Sequence, residues 1–251
     1  MPVISVVTCV LPAKSQWLEA TWKSLVAQHM PPDWSWQWLV QVDGPGGLAW
    51  EPPVDDRVSL VANSRDRGPA ISRTLTLGRA AGELVRVLDA DDQLTDGALA
   101  RDVEAFAENP AIGWVTSRAL DLLPDGTTID VDAGLAAGAV VRGAVADYWL
   151  AHDHRLPVHP ATLCARLDLV LALGGWLALP TSEDTGLLLA LDAVAAGSFI
   201  EEPGLLYRKW PAQLTAGSGH NDSAERAARI SVIEARVRSL AKWSVEWPGV
   251  R

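Results

Sequence analysis

Four short apolar runs in the first ninety residues each stop on a turn or a polar residue, and this alternation limits the chain to few folds. Val3 to Thr8 is continuous and largely apolar, as in a strand buried on both faces. Pro12 ends it, and Ser15 can cap a helix carrying Trp17, Leu18, Trp22, Leu25 and Val26 on one face. Pro31-Pro32 closes that helix. Trp36 to Val42 is the second strand and stops at Asp43-Gly44-Pro45-Gly46-Gly47. Val58 to Ala62 is the third and stops at Asn63. Pro69 suits the first turn of a helix reaching Ala81. Leu84 to Leu88 is the fourth strand and stops at Asp89. The order β-α-β-β-α-β predicts a mainly parallel sheet with helices on both faces. Ligands of such sheets bind at the carboxyl ends of the strands, where Asp43, Asn63 and Asp89 fall.

The rest of the chain is less regular. Thr95 or Asp96 can cap a helix to about Ala107. Ile112 to Ser117 reads as a strand, and Asp121 to Gly138, with Pro124-Asp125-Gly126, as a hairpin or long loop. Gly143 to Ala151 predicts a helix. Ala161 to Ala165 predicts a strand, then a helix ending at Gly174-Gly175. Ser182 can cap a helix through Ala196. Phe199-Ile200 and Leu205 to Trp210 read as two short strands. Gly217-Ser218-Gly219 reads as a mobile loop. Asn221 or Asp222 then opens a helix with Ile230, Ile233, Val237 and Leu240 on one stripe. That stripe can pack on its own lobe or on a second copy, which makes a homodimer through this helix an expectation. The organisation expected is a nucleotide-binding half over 1–100, an acceptor-binding half of the same domain over 101–215, and a C-terminal loop and amphipathic helix over 216–251.

Composition narrows the function. The 251 residues carry a net charge of −10, so nucleic acid and anionic membrane surfaces are unfavoured partners. An anionic substrate then needs local basic groups or a metal. Two cysteines, Cys9 and Cys164, lie in apolar runs and supply no disulfide framework. The N-terminus lacks a basic segment and cleavage site, and no apolar stretch reaches membrane-spanning length. A soluble cytoplasmic protein is expected. Trp34, Trp36 and Trp38 alternate as one strand face does, either as core or as a binding wall.

Asp89-Ala90-Asp91-Asp92 places three carboxylates at a strand end, where they repel unless compensated. A hard cation, Mn or Mg, suits them, and it can bridge to a diphosphate. Arg65, Arg67 and Arg73 lie at or near a helix N-terminus, where guanidinium forks and backbone donors suit phosphate. Ser182-Glu183-Asp184 begins another helix, where carboxylates either cap or serve as a general base. His152 and His154 read as solvated rather than as zinc ligands, and His159 precedes Pro160.

These motifs resemble the family 2 glycosyltransferases of GT-A fold, from about Val3 to Thr215. Ile4-Ser5-Val6-Val7-Thr8 is similar to the family's opening strand, and Val42-Asp43-Gly44 to its base-reading segment. Arg79 to Leu88 with Asp89-Ala90-Asp91-Asp92 resembles the Ala-x-Gly-Glu lead-in and Asp-x-Asp motif. Leu173-Gly174-Gly175-Trp176 with Glu183-Asp184 resembles the acceptor-side segment. Tyr207-Arg208-Lys209-Trp210-Pro211-Ala212-Gln213-Leu214-Thr215 resembles the closing one. The resemblance implies a GT-A, Rossmann-like sheet with a smaller acceptor-side lobe. It implies an inverting transfer of a hexose from a UDP-sugar such as UDP-glucose to an acceptor hydroxyl; the size and composition of the chain suggest a small soluble acceptor, such as a nucleoside or other secondary metabolite. It assigns Asp184 as base, with Glu183 on donor sugar or acceptor. Asp43 would read the base, Asp89 hold ribose or metal-bound water, Asp91 bind the metal, and Asp92 lie near the sugar. Arg73 would contact the diphosphate, with Thr8, Pro12, Asn63, Arg67 and Ala90 around the nucleotide sugar. His159, Trp176 and Trp210 would line the acceptor side.

Two positions depart from that pattern. Thr74 follows Arg73 where the family has Asn, and Trp210 stands where it has a His that helps hold metal or diphosphate. Indole cannot ligate a metal, so Arg208 or Lys209 would take part of the diphosphate charge. Two other functions fit the same scaffold: a nucleotidyltransferase that makes a nucleotide sugar, and a non-catalytic relative that only binds one. Val10-Leu11-Pro12-Ala13-Lys14 is a poor match to the Gly-rich basic loop the former needs.

Overall fold

Val3–Val10 forms the first strand, β1, and its side chains divide between two cores. Ile4, Val6 and Val10 face one, and Val7 faces the other. This is the period-2 consequence of burial on both faces. β2 (Ser35–Val42), β3 (Val58–Ala62) and β4 (Leu84–Val87) complete a parallel set, with β1 between β2 and β4 and β3 at the edge. The computed structural model describes residues 1–131, 133–211, 213 and 222–242.

The helices sort onto the two faces. α1 (Leu18–Val26) and α3 (Ala98–Glu108) pack Leu18, Leu25, Leu99 and Phe106 into the first core. Trp36 and Trp38 belong to it too, with Trp22 edge-on to Trp36 at 6.0 Å and stacked on Trp38 at 5.4 Å. Trp36 and Trp38 are thus packing residues. α2 (Pro69–Thr76) lies on the opposite face. There it joins α4 (Ala144–Ala151), α5 (Leu167–Ala172), α6 (Glu183–Val194) and α7 (Ser223–Ala241).

Beyond β4 the sheet becomes mixed. Its order is β3-β2-β1-β4-β9-β6-β10-β5, where β5 is Gln93–Leu94, β6 Trp114–Leu122, β9 Cys164–Arg166 and β10 Gly197–Arg208. β9 runs antiparallel to both β4 and β6, whereas β10 is parallel to β6. Short β7 (Thr128–Asp130) closes the expected hairpin on β6, and β8 (Gly138–Val140) pairs with β10.

Several expected boundaries move. Ser15 does not cap α1: its hydroxyl donates to Pro12 O and accepts from Ala49 N–H, and Trp17 occupies the cap position. Neither Thr95 nor Asp96 caps α3. Gly97, left-handed, sits there, and the Thr95 hydroxyl bonds Pro203 O. α2 ends at Thr76 and tightens into a 3-10 turn over Leu77–Arg79, short of Ala81. The two strands expected after Ala196 are one strand, β10, with irregular register between Ile200 and Leu205. Ser182 stands at the α6 cap position but gives no side-chain cap. Asp222 does cap α7, accepting from Ala224 N–H and Glu225 N–H. The α7 stripe packs within the chain, with Ile233 and Val237 buried beside α6. Gly217-Ser218-Gly219, Asn221, Ala212, Leu214 and Thr215 lie outside the described residues. No helix among the described residues is long and apolar enough to cross a membrane.

Gly82 shows why the turn into β4 carries glycine. A Cβ there would lie 2.6 Å from both Ser5 Oγ and Val3 O, atoms of the adjoining strand. The close approach lets Gly82 N–H reach Ser5 Oγ at 3.0 Å and seats β4 against β1.

Candidate active site

A cavity of about 610 Å³ opens at the carboxyl ends of the parallel strands. Asp43, Asp89, Asp91, Glu183 and Asp184 line it. Residues as far as 141 positions apart in sequence, Asp43 and Asp184, thus share one crevice because the strands end side by side.

Asp43 forms one end. Its Oδ1 accepts from Asn63 Nδ2 at 3.0 Å and Arg67 N–H at 2.8 Å, and Oδ2 accepts from Gly68 N–H at 2.9 Å. Burial opposes its ionisation. The Arg67, Asn63, Ser72 and Gly68 bonds outweigh that and hold the carboxyl below its usual range. Asn63 lies behind it, with its amide shared among Asp43, Ser72 and Gln41. The Arg67 side chain is exposed, and its contribution to Asp43 is the backbone N–H. Thr8 is fully buried, accepting from Trp38 Nε1 and donating to Leu88 O. Pro12 lies against Gly46, in the loop beyond Asp43.

Arg73 is the centre of the charge pattern. The side chain is buried, and its guanidinium lies 2.5 Å from Asp89 Oδ1, 2.5 Å from Glu183 Oε1 and 3.4 Å from Asp184 Oδ2. Burial alone would lower its pKa, but Asp184, Asp89 and Glu183 raise it well above the usual value. One cation therefore faces three carboxylates. The excess negative charge falls on Asp184, whose pKa rises to about 7. Burial is the largest cause, and Glu183 and Asp89 add to it. Arg73 and the Trp176 N–H oppose it.

The local chain explains how both acids reach this spot. Ser182 takes a left-handed conformation, φ 66°, and turns the chain abruptly into α6 with Glu183 and Asp184 in its first turn. For a non-glycine residue that conformation costs about 1–2 kcal/mol. Trp176 Nε1 donates to Asp184 Oδ1 at 2.7 Å. Gly175, φ 76°, brings Trp176 N–H to Thr74 Oγ1 at 3.1 Å, so Thr74 helps fix the tryptophan.

The Asp89-Ala90-Asp91-Asp92 run divides in function. Asp89 and Asp91 face the cavity, as does Ala90. Asp91 Oδ2 accepts from Trp210 Nε1 at 2.6 Å, and its backbone O accepts from Arg208 Nε at 2.8 Å. Burial and then Asp89 raise the Asp91 pKa, against the Trp210 bond. Asp92 is fully buried and accepts from Arg208 N–H at 2.9 Å. Burial, then Asp91 and Asp89, push its pKa well above the usual range, and its bond from Arg208 N–H straps β10 in place. Arg208 lies 4.1 Å over the Trp17 ring, and Lys209 pairs with Asp121 at 3.3 Å.

His159 lines the cavity beside Tyr207, ring centroids 4.4 Å apart. Burial lowers its pKa to about 4, so the ring is neutral. Its Nδ1 accepts from Ala161 N–H. His152 stacks on Tyr148 at 3.7 Å, and His154 packs edge-on to Trp149 at 4.5 Å. Sequence reading missed the outer wall: Trp149, Pro180, Thr181 and, from α7, Arg226, Arg229, Ile230 and Ile233. Only the apolar stripe of α7 is legible in the chain, and it does not tell that the helix covers a cavity.

A parallel sheet ending in a carboxylate-lined crevice defines the class: an α/β transferase scaffold of GT-A type. Residues 5–125 match the family model of glycosyl transferase family 2. It is similar to TuaG of Bacillus subtilis, a glycosyltransferase ascribed to teichuronic acid biosynthesis, at 28% identity over 134 residues. That is 51% of this chain and 51% of TuaG, so the chain spans about half the length of that relative. Among solved structures, S. aureus TarS 1-349 matches with TM-score 0.62 and 16% identity, over 96% of this chain and 69% of TarS 1-349. The same protein in complex with UDP-GlcNAc matches with TM-score 0.68 and 16% identity, over 96% and 70%. At these identities the likeness establishes the GT-A fold.

Proposed function

We propose that this chain is an inverting glycosyltransferase that moves a hexose from a UDP-sugar to a hydroxyl of a small acceptor, with Asp184 as general base. The observation carrying this is that Asp184, buried and held by Trp176 Nε1, shares one cavity with Asp43 and Asp91, and its burial pushes its pKa up to about 7. A base is most effective when its pKa lies near the working pH. The UDP-GlcNAc bound by TarS supports a UDP-sugar donor.

In this reading Asp43 takes the base end. Asp43 lines the cavity at that end, where its carboxylate holds the backbone N–H groups of Arg67 and Gly68. The acceptor O–H gives its proton to Asp184 while its oxygen bonds to the anomeric carbon. The bond from that carbon to the β-phosphate oxygen breaks, and UDP leaves with the electron pair. One displacement inverts the centre. Trp176 and Arg73 orient Asp184 throughout.

The donor set fits a divalent cation. Asp91 keeps Oδ1 beyond the oxygen bonded by Trp210, and Asp89 keeps Oδ2 beyond the one bonded by Arg73. One or two carboxylates plus substrate phosphates are what Mg typically takes. Mn or Mg bound there would supply Lewis-acid charge to the leaving diphosphate. Arg208 and Lys209 add positive charge on the same side.

Thermal shift tests the reading. UDP with Mn should raise Tm more than GDP or ADP, and UDP with EDTA should do little. Saturation at 100 times Kd contributes about 2.7 kcal/mol. Silence to every nucleotide would overturn it.

A further inference from the structure

We propose that the acceptor carries an oxyanion, a phosphate or carboxylate, recognised by Arg226 and Arg229 on α7. This rests on the transferase reading above and adds the chemical class of the acceptor.

The transfer end of the cavity is acidic, and its central cation, Arg73, is already matched to Asp89, Glu183 and Asp184. The wall formed by α7 has the opposite character. Ile233 sits over the first turns of α6, 3.6 Å from the position of a Cβ on Gly186, two residues beyond Asp184. Arg229 and Arg226 follow toward the N-terminus of α7, four and seven residues on. At 1.5 Å rise per residue they lie roughly 6 and 10 Å along the helix from Ile233. All three line the cavity. In a chain of net charge −10, two arginines thus line the same cavity as the proposed base.

The opposite side of this wall is built and held. Asp153 and His154 are consecutive non-glycine residues with positive φ, 51° and 60°. Paired left-handed residues are costly and persist where surroundings enforce them. Here the turn sets the His154 ring on Trp149 and gives Asp153 O to Arg226 Nη2 at 3.2 Å. Arg229 is buried, with Glu225 at 3.7 Å and that glutamate mostly exposed. Trp149 supplies an apolar face beside it. The site therefore suits a compact hydroxylated molecule with its negative charge about one to two helical turns from the reacting hydroxyl.

Titration calorimetry on the full chain saturated with UDP and Mn tests this with three probes: glucose, glucuronate and glucose 6-phosphate. At least one anionic probe should bind tenfold or more tighter than glucose, and which one does distinguishes carboxylate from phosphate. Arg226→Gln, at an exposed position, should weaken that probe at least threefold. Arg226→Gln with Arg229→Gln should weaken it at least tenfold. UDP affinity should stay within twofold in both variants. Equal binding of glucose and both anions would overturn the proposal, as would wild-type affinity in Arg226→Gln or, should the double variant fold, in that variant. A chain that fails to bind UDP at all would overturn the transferase reading first and this one with it. UDP binding with no preference for an anion would remove only this one.

Discussion

The indole N–H of Trp176 donates to Oδ1 of Asp184 at 2.7 Å, and after Arg73 it holds that carboxyl's pKa down. Removing it should leave the acid where burial and its neighbours push it. In Trp176→Phe the acidic limb of the kcat/KM profile should move above its wild-type position near pH 7. An unchanged limb would separate the indole from the base.

Asp184→Asn should lower kcat by about 10²–10⁴-fold, the usual range for loss of a positioned base. UDP affinity, measured by calorimetry, should hold because Asp43 and Asp91 are untouched. Full activity in this variant would end the base assignment.

Stability should also follow this carboxyl. Asp184 has a folded pKa of about 7, above the 3.8 usual for an aspartate, so the native state binds more protons between those values. Unfolding then becomes easier as pH rises through that window, and the penalty is complete above pH 7. Asp184→Asn should raise Tm relative to wild type at pH 8 by roughly 2–4 °C, as about 1 kcal/mol does for a domain of this size. At pH 4 the gain should vanish.

Arg73→Gln should be severe. It leaves Asp89, Glu183 and Asp184 without the cation they share. Breaking a buried pair typically costs about 3–5 kcal/mol. Denaturant unfolding should show the loss largest at pH 8 and smaller at pH 5, where Asp184, with its pKa of about 7, is protonated.

Trp210→Phe removes the donor on Asp91 Oδ2. The Asp91 pKa, already raised, should rise further, because that bond favours the charged form. Mn-dependent stabilisation by UDP should then need higher pH than in wild type, read as Tm against pH with and without EDTA.

Much of the scaffold was legible in the chain. Val3 to Thr8 and Leu84 to Leu88 declare themselves because strands buried on both faces must be apolar throughout, and Val58 to Ala62 is as apolar although the edge strand β3 is largely exposed. Asp43 and Asp89 are marked by ending such runs. The Thr95 and Ser182 caps were misread because side-chain capping competes with other partners. The Thr95 hydroxyl goes to Pro203 O, 108 residues away. β10 was split into two strands because Glu201-Glu202-Pro203 looks like a break. Pairing with β6 carries the strand through it with shifted register.

By itself, then, the sequence determined the alternating α/β order, the strand ends and the acidic motifs, since these follow from local periodicity. Tertiary structure alone decided how one arginine divides among Asp89, Glu183 and Asp184, which carboxyl of the 89–92 run is buried as a strap, and which indole holds which acid. It also placed α7 over the cavity. Those outcomes depend on distances between segments far apart in the chain, and on the loss of solvent around them. Local pattern carries neither.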